Sequence, residues 1–319
     1  MTVIRFRKGT MMTLEGKDVL STVDMKKEEI VEILRVSTKM EEIVKREYVS
    51  TLLQDKVVAV LFLEPSTRTR LSFETAVKRL GAKAVTVSDV KTSSGAKGET
   101  LADMAKTVAG YVDCIVVRQP TIGGAEVMAD AVDVPVINGG DGAGQHPTQA
   151  LLDLYTMQKE KGNLEGLKVA MVGDLKYGRT VHSLTYALSP FNPREYVFCA
   201  PDALQIKDSM VDDMKANGIR CTQTTAIEEA LQADVLYMTR IQKERFEDVA
   251  EYERLKGSYV LTKDILQKGN RDITIMHPLP RVDEISTDVD ELPNAAYFRQ
   301  AHNGVYVRMA LLAMVMGRV

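Results

Sequence analysis

The sequence predicts an α/β fold of two similar-sized domains, each a parallel sheet flanked by helices. Short apolar runs rich in β-branched residues recur along the chain, and amphipathic stretches separate them. A glycine-rich segment, Asn138–Gly144, breaks the alternation near the middle. Hydrophobic strands alternating with helices mark parallel sheets covered on both faces. A length of 319 residues also exceeds what one ordinary core accommodates.

The strands expected before the break are Val57–Phe62, Ala84–Val87, Cys114–Val117 and Pro135–Ile137. Between the first two, Phe73, Ala76, Val77 and Leu80 fall at the i, i+3, i+4, i+7 positions of one helix face. After the break, His146–Gly162 reads as one helix with Pro147 in its first turn, where a missing N–H removes no helical bond. A second series follows, with strands at Lys168–Val172, Tyr196–Cys199, Asp234–Met238 and Ile273–Met276. The connection between domains is therefore expected within residues 140–150. Residues 304–317 form a last helix, which pattern alone assigns to neither domain.

Apolar residues make up 45% of the chain and charged residues 27%, which argues against disorder. The net charge of −3 gives no bulk attraction to nucleic acid or to a membrane surface, so an anion site has to be built locally. The N-terminal MTVIRFRKGT lacks the apolar core of a signal peptide, and runs such as Val57–Leu63 fall well short of the ~20 residues of a membrane span. Three cysteines show no CxxC spacing. Cys114 and Cys199 lie in strand-like runs as small buried hydrophobes, which fits a reducing compartment. A soluble, cytoplasmic protein is expected.

Local anion chemistry is concentrated in a few loops. In LFLEPSTRTRLSFETAVKRLGA a buried strand ends near Phe62 and a helix begins within Ser66–Thr69. A helix N-terminus after a parallel strand cradles phosphate, and Ser66, Thr67, Arg68 and Thr69 add three hydroxyls and a cation at that point. The polar loop Asp89–Glu99 carries Lys91 and Lys97 and is of a kind that closes over a ligand. Arg118 follows the apolar strand CIVV, where open α/β sheets bind ligands. His146 precedes a helix on which Gln149 offers a donor and an acceptor to an amide-like group.

In the second half, VAMVGDLKYGRTVHSL is again strand, turn and helix. Its G-x-x-x-x-G-R-T differs by one residue from a nucleotide-binding P-loop, but Arg179 stands where that loop needs lysine. At a helix start Arg179 is suited to a bidentate grip on a carboxylate. Arg240 and Gln242 follow another strand and are candidates for a second carboxylate. In ITIMHPLPR two prolines deny the backbone its regular bonding, which frees the carbonyls of Pro278 and Leu279 for a ligand's NH₂. The four histidines have no metal-ligand spacing, and neither a nucleophile elbow nor a Ser-His-Asp set is present, so no metal and no cofactor are expected.

Together these motifs resemble the aspartate carbamoyltransferases of the aspartate/ornithine carbamoyltransferase family, over nearly the whole length from about Leu20 onward. The carriers are Ser66-Thr67-Arg68-Thr69-Arg70, His146-Pro147-Thr148-Gln149 and His277-Pro278-Leu279-Pro280-Arg281, in this order and spacing. The ornithine enzymes share the first two but have a cysteine after the third histidine and a Ser-Met-Gly motif; here Pro278 follows His277 and no such motif occurs. Ala96 departs from a lysine of some relatives.

The resemblance implies a first domain, residues 1–145 with a returning C-terminal helix at 302–319, that binds carbamoyl phosphate. A second domain, residues 146–301, would bind L-aspartate. It implies that Ser66, Thr67, Arg68, Thr69 and Arg118 hold the phosphate, and that Thr69, Arg118 and His146 hold the carbamoyl oxygen. Gln149 and the main chain of Pro278 and Leu279 would hold the carbamoyl NH₂. Arg179 and Thr180 would take the α-carboxylate, and Arg240 and Gln242 the β-carboxylate. Ser93 and Lys97 would reach a neighbouring chain's site, giving a homotrimer with shared active sites. A separate regulatory chain is a further partner the resemblance admits. The Leu279–Pro280 bond is implied to be cis. Carbamoyl transfer to aspartate, an early step of pyrimidine biosynthesis, is the expected activity, with transfer to another amine such as ornithine as the alternative.

Overall fold

The computed structural model describes residues 14–23, 25–46, 50–88, 98–241 and 249–319. The chain forms two compact units, Met1–Leu151 with Asn303–Val319, and Leu152–His302.

The first unit contains α1 (Lys27–Lys45), β1 (Val57–Phe62), α2 (Thr67–Arg79), β2 (Lys83–Val87), α3 (Leu101–Ala109), β3 (Cys114–Gln119), α4 (Gly124–Ala129) and β4 (Val136–Asp141). Its sheet is entirely parallel, in the order β2-β1-β3-β4. The central strands are buried because helices cover them. Ala59, Leu61, Ile115 and Val117 pack with Ala105, Ala125 and Met128 of α3 and α4. Such strands carry apolar side chains in continuous runs instead of alternating them, which is why the sequence shows them so clearly. Helix α5 (Pro147–Lys161) leaves the first unit and ends in the second.

The second unit holds β5 (Lys168–Val172), α6 (Arg179–Leu188), β6 (Glu195–Cys199), α7 (Asp208–Ala216), β7 (Arg220–Thr224), α8 (Ile227–Ala230), β8 (Val235–Met238), α9 (Val249–Leu255), α10 (Lys263–Leu266) and β9 (Thr274–Met276). Its sheet is also parallel, in the order β7-β6-β5-β8-β9. The last helix, α11 (Tyr297–Val315), ends in the first unit. There the buried Arg308 donates from NH1 to the Ser72 hydroxyl of α2 at 3.0 Å and from NH2 to the Thr148 hydroxyl of α5 at 3.4 Å. Its guanidinium also stacks 5.1 Å from the Phe73 ring centre. The expected α/β class, the two parallel sheets and the return of the final helix are all present.

Three details differ from the sequence reading. Strand β7, with sequence RCTQT, is not among the expected strands; it is a half-exposed edge strand without an apolar run. Strand β4 continues through Gly139, Gly140 and Asp141, the start of the segment expected to be a break. Helix α11 begins at Tyr297, a full two turns earlier than its apolar stretch. Cys114 and Cys199 are buried as expected, and burial pushes the Cys199 thiol up to about 11. Among the described residues no helix is long and apolar enough to cross a membrane.

Candidate active site

In open parallel sheets ligands bind beyond the carboxyl ends of the strands, where successive connections diverge. In the first sheet that point lies between β1 and β3, because β1 leads outward to β2 and β3 leads the other way to β4. Phe62 at the end of β1 is in register with Arg118 near the end of β3, and the Leu63 N–H donates to the Arg118 carbonyl at 2.7 Å. Helix α2 starts at this edge with Ser66 as N-cap in extended conformation. The Ser66 side chain makes no capping hydrogen bond to the helix it begins. Thr69 is buried there, Thr67 and Arg68 are exposed, and Arg70 is turned along its own helix to Glu74 at 3.9 Å.

The Arg118 side chain is fixed on two sides. NH1 donates to the Gly139 carbonyl of β4 at 3.3 Å, and Nε lies 3.4 Å from Glu64 Oε2. Beyond β4 the chain turns tightly around Asp141. Its Oδ1 accepts from Gln145 N–H at 2.5 Å and its Oδ2 from Gly123 N–H at 2.9 Å. Gly142 is required in this turn: at φ +50, an added Cβ would lie 2.2 Å from the Pro120 carbonyl oxygen. The turn delivers His146, 4% exposed, to the start of α5, where Gln149 is also buried. Neighbouring strands β1, β3 and β4 thus bring Ser66–Thr69, Arg118 and His146–Gln149 to one edge of one sheet.

The second sheet repeats the arrangement. Its connections diverge between β5 and β8, where Val172 is in register with Met238. The loop after β5 is pinned: the Asp174 N–H donates to the Thr239 hydroxyl at 3.1 Å, the Tyr177 N–H to Asp174 Oδ1 at 3.0 Å, and His182 Nε2–H to the Leu175 carbonyl at 2.8 Å. Burial holds the His182 pKa below the usual histidine value, against the pull of that hydrogen bond. Arg179 and Thr180 open α6 from this loop, half-buried, and Arg240 follows β8. A pocket of about 70 Å³ opens beside Arg240, lined also by Gly173, Thr239, Lys256, Asp283 and Glu284 among others.

Beyond β9 the chain makes the His277–Pro280 turn. Leu279 adopts φ +56 and the Leu279–Pro280 bond is cis. The Leu279 N–H donates to His277 Nδ1 at 2.8 Å, so Nε2 carries the hydrogen that meets Glu284 Oε1 at 2.7 Å. Burial alone would raise the Glu284 carboxyl, but the hydrogen bonds from His277 and from backbone N–H groups hold it below the usual carboxylate range. Arg179–Thr180, Arg240 and Pro278–Leu279 therefore stand at the ends of three adjacent strands, β5, β8 and β9. Ser93, Lys97 and Gln242 lie outside the described residues.

Sequence reasoning misses the residues that support these groups: Glu64 beside Arg118, Asp141 in its turn, Glu284 behind His277, and Arg308 between α2 and α5. A charged residue inside an apolar helical run, as in VYVRMALL, is the available signal for Arg308.

The two halves of the chain each match a family model. Residues 17–159 match the carbamoyl-P binding domain of aspartate/ornithine carbamoyltransferase, and residues 165–315 match its Asp/Orn binding domain. The aspartate carbamoyltransferase catalytic subunit of Methanocaldococcus jannaschii is 51% identical over 297 residues, covering 93% of this chain and 96% of the relative. That of Methanothermobacter thermautotrophicus is 51% identical over 300 residues, covering 94% and 95%. A solved catalytic subunit of M. jannaschii aspartate transcarbamoylase superposes with a TM-score of 0.88 at 50% identity, covering 94% of this chain and 98% of that one. Aspartate transcarbamoylase from Trypanosoma cruzi, solved with carbamoyl phosphate and aspartate, gives 0.90 at 38% identity, covering 95% and 98%. Similarity that runs through both units in order, at these identities, means that the chain belongs to the aspartate/ornithine carbamoyltransferase family.

Proposed function

We propose that the chain is an aspartate carbamoyltransferase: it transfers the carbamoyl group of carbamoyl phosphate to the amino group of L-aspartate, giving N-carbamoyl-L-aspartate and phosphate. The observation that carries this reading is the repeated placement of cationic and polar residues at three adjacent strand ends in each parallel sheet, each set matching its own family domain. The T. cruzi relatives solved with carbamoyl phosphate, with aspartate and with N-(phosphonacetyl)-L-aspartic acid support the choice of substrates.

In this reading the first unit holds the donor. Ser66, Thr67, Arg68 and Thr69 bind the phosphate with the N–H groups of α2, Arg118 assists them, and Gln149 takes the carbamoyl NH₂ together with the carbonyls of Pro278 and Leu279. The second unit holds the acceptor, with Arg179 and Thr180 on its α-carboxylate and Arg240 and Gln242 on its β-carboxylate. The deprotonated amine attacks the carbamoyl carbon. Thr69, Arg118 and His146 donate to the oxyanion that develops, and one such donor contributes about 2.7–4 kcal/mol in acyl-transfer enzymes. The departing phosphate takes the amine proton. His146 serves as a donor and not as a base, because nearby guanidinium charge disfavours an imidazolium.

Ser93 and Lys97 complete the site of a neighbouring chain in a homotrimer, and the enzyme works in the cytoplasm in pyrimidine biosynthesis. A separate regulatory chain is a further partner for that assembly. The deciding experiment offers carbamoyl phosphate with aspartate or with ornithine in parallel and assays the ureido product. Product from aspartate is expected; product from ornithine alone overturns the substrate assignment. For the trimer, mixing Arg68→Ala and Lys97→Ala chains is expected to restore activity in mixed trimers, and its absence rules out shared sites.

A further inference from the structure

A chain of polar side chains crosses the interior of the second unit. Asp153 of α5 is 0% exposed. Its Oδ2 accepts from the Tyr237 hydroxyl at 2.8 Å and its Oδ1 from Gln300 Nε2 at 2.6 Å. The Gln300 amide oxygen accepts the His277 N–H at 2.8 Å, and His277 Nδ1 in turn accepts the Leu279 N–H at 2.8 Å. At the other end the Tyr237 phenol also bonds Thr180, the residue after Arg179. Burial and the Asp153 charge hold that phenol well above its usual pKa, so it keeps its proton and donates.

The direction of each bond is determined. Backbone N–H groups only donate, so Gln300 must turn its oxygen to His277 and its NH₂ to Asp153. An ionised carboxylate only accepts, so it satisfies Gln300 and Tyr237 together. His277 must show a lone pair at Nδ1 and carry its hydrogen at Nε2, facing Glu284. Buried polar chains of this kind fix a geometry when every member is satisfied and disturb it when one is not.

We propose that Asp153 is a positioning residue for carbamoyl transfer, setting through Gln300 and His277 the turn that presents the Pro278 and Leu279 carbonyls. The inference rests on the reading of those carbonyls as the cradle of the carbamoyl NH₂. Asp153 touches neither substrate. Its carboxylate orders the partners of the turn, whose Leu279 stands in the left-handed region that a leucine does not adopt without such constraint.

The test exchanges the polarity of one link. Gln300→Glu places two carboxylates in contact, and Asp153→Asn added to it restores a matched pair: the asparagine NH₂ donates to the introduced carboxylate, which still accepts the His277 N–H. Gln300→Glu is expected to lower kcat about ten- to a hundred-fold with a smaller change in the KM for aspartate. The double variant is expected to recover most of that loss. In ¹⁵N-histidine spectra His277, one of four histidines, is expected as the Nε2–H form in the wild type, perturbed in Gln300→Glu and restored in the double variant. A wild-type His277 protonated at Nδ1 overturns the proposal, and that measurement stands even where a variant fails to fold. So does a folded Gln300→Glu with full kcat, or a double variant no better than Gln300→Glu. Wild-type protein that makes no carbamoylaspartate overturns the proposed function instead, and leaves the His277 form readable.

Discussion

Gly173 and Thr239 approach so closely that a Cβ on Gly173 would lie 2.2 Å from the Thr239 carbonyl oxygen and 2.7 Å from its hydroxyl. Gly173 also sits at φ +118, a conformation reserved for glycine. The first residue follows β5 and the second follows β8, so their contact sets the spacing of the strand ends that carry Arg179 and Arg240.

Gly173→Ala is therefore expected to lower stability by about 1–3 kcal/mol from backbone strain alone. It is also expected to raise the KM for aspartate more than the KM for carbamoyl phosphate, because the strained contact lies in the second unit. Calorimetry with saturation kinetics for each substrate checks this. An equal rise in both KM values contradicts the assignment of aspartate to that unit.

Arg118 offers a separate test in the first unit. Its guanidinium is held by the Gly139 carbonyl and by Glu64, so it is already oriented before any ligand arrives. Such preorganised donors act mainly on the transition state. Arg118→Met is expected to lower kcat by about 10²–10³-fold. A variant that raises only the KM for carbamoyl phosphate, with kcat intact, would reduce Arg118 to a ground-state phosphate ligand.

Arg179 and Arg240 are expected to act on different carboxylates. Loss of a charge-assisted contact costs about 1.5–3 kcal/mol, roughly a ten- to hundred-fold rise in KM. Alanine, which lacks the β-carboxylate, separates the two. Arg240→Met is expected to close the gap between aspartate and alanine as acceptors, whereas Arg179→Met weakens both alike. Competition kinetics with the two acceptors measures the gap; its persistence in Arg240→Met rules out the β-carboxylate role.

The strand-turn-helix segments are legible in the sequence because a buried parallel strand must be apolar along its whole length, so the polar residues that follow stand out. Ser66–Thr69, Arg179 and Arg240 are recognisable this way, and the structure puts each beyond a buried strand. Strand β7 is illegible for the converse reason. At an edge, Arg220, Cys221, Thr222, Gln223 and Thr224 need only backbone pairing with β6. The Gly139–Asp141 part of β4 reads as a break because glycine is rare in strands, yet here the strand runs on in pairing with β3, whose backbone leaves little room at Gly139. A Cβ on Gly139 would lie 3.3 Å from the Val117 carbonyl oxygen and 3.6 Å from the Arg118 Cβ. Asp153, Gln300 and Glu284 stay hidden because a buried polar residue reads as a surface residue until its partners, distant in sequence, are placed beside it.

The Glu284–His277 pair makes a prediction about acid stability. The folded state holds the Glu284 carboxyl below the usual carboxylate range. A group depressed on folding contributes stability that is present above its unfolded pKa, about 4.3 for glutamate, and lost as pH falls through the folded value. The wild type is therefore expected to lose stability below about pH 4.3 more steeply than Glu284→Gln, which cannot titrate there. Against burial, Asp113 is depressed by Lys56 and Glu195 by the Thr222 hydroxyl and Lys168, and both contribute the same acid slope to both proteins. The difference between the two curves thus isolates Glu284. Glu284→Gln is also expected to be less stable at neutral pH: its amide oxygen can replace Oε2 as acceptor for the Val282 and Asp283 N–H groups, but its NH₂ then faces the His277 Nε2–H that Oε1 accepts at 2.7 Å. Urea unfolding of both proteins across the acid range measures the slopes, and a wild type no steeper than the variant excludes a depressed Glu284.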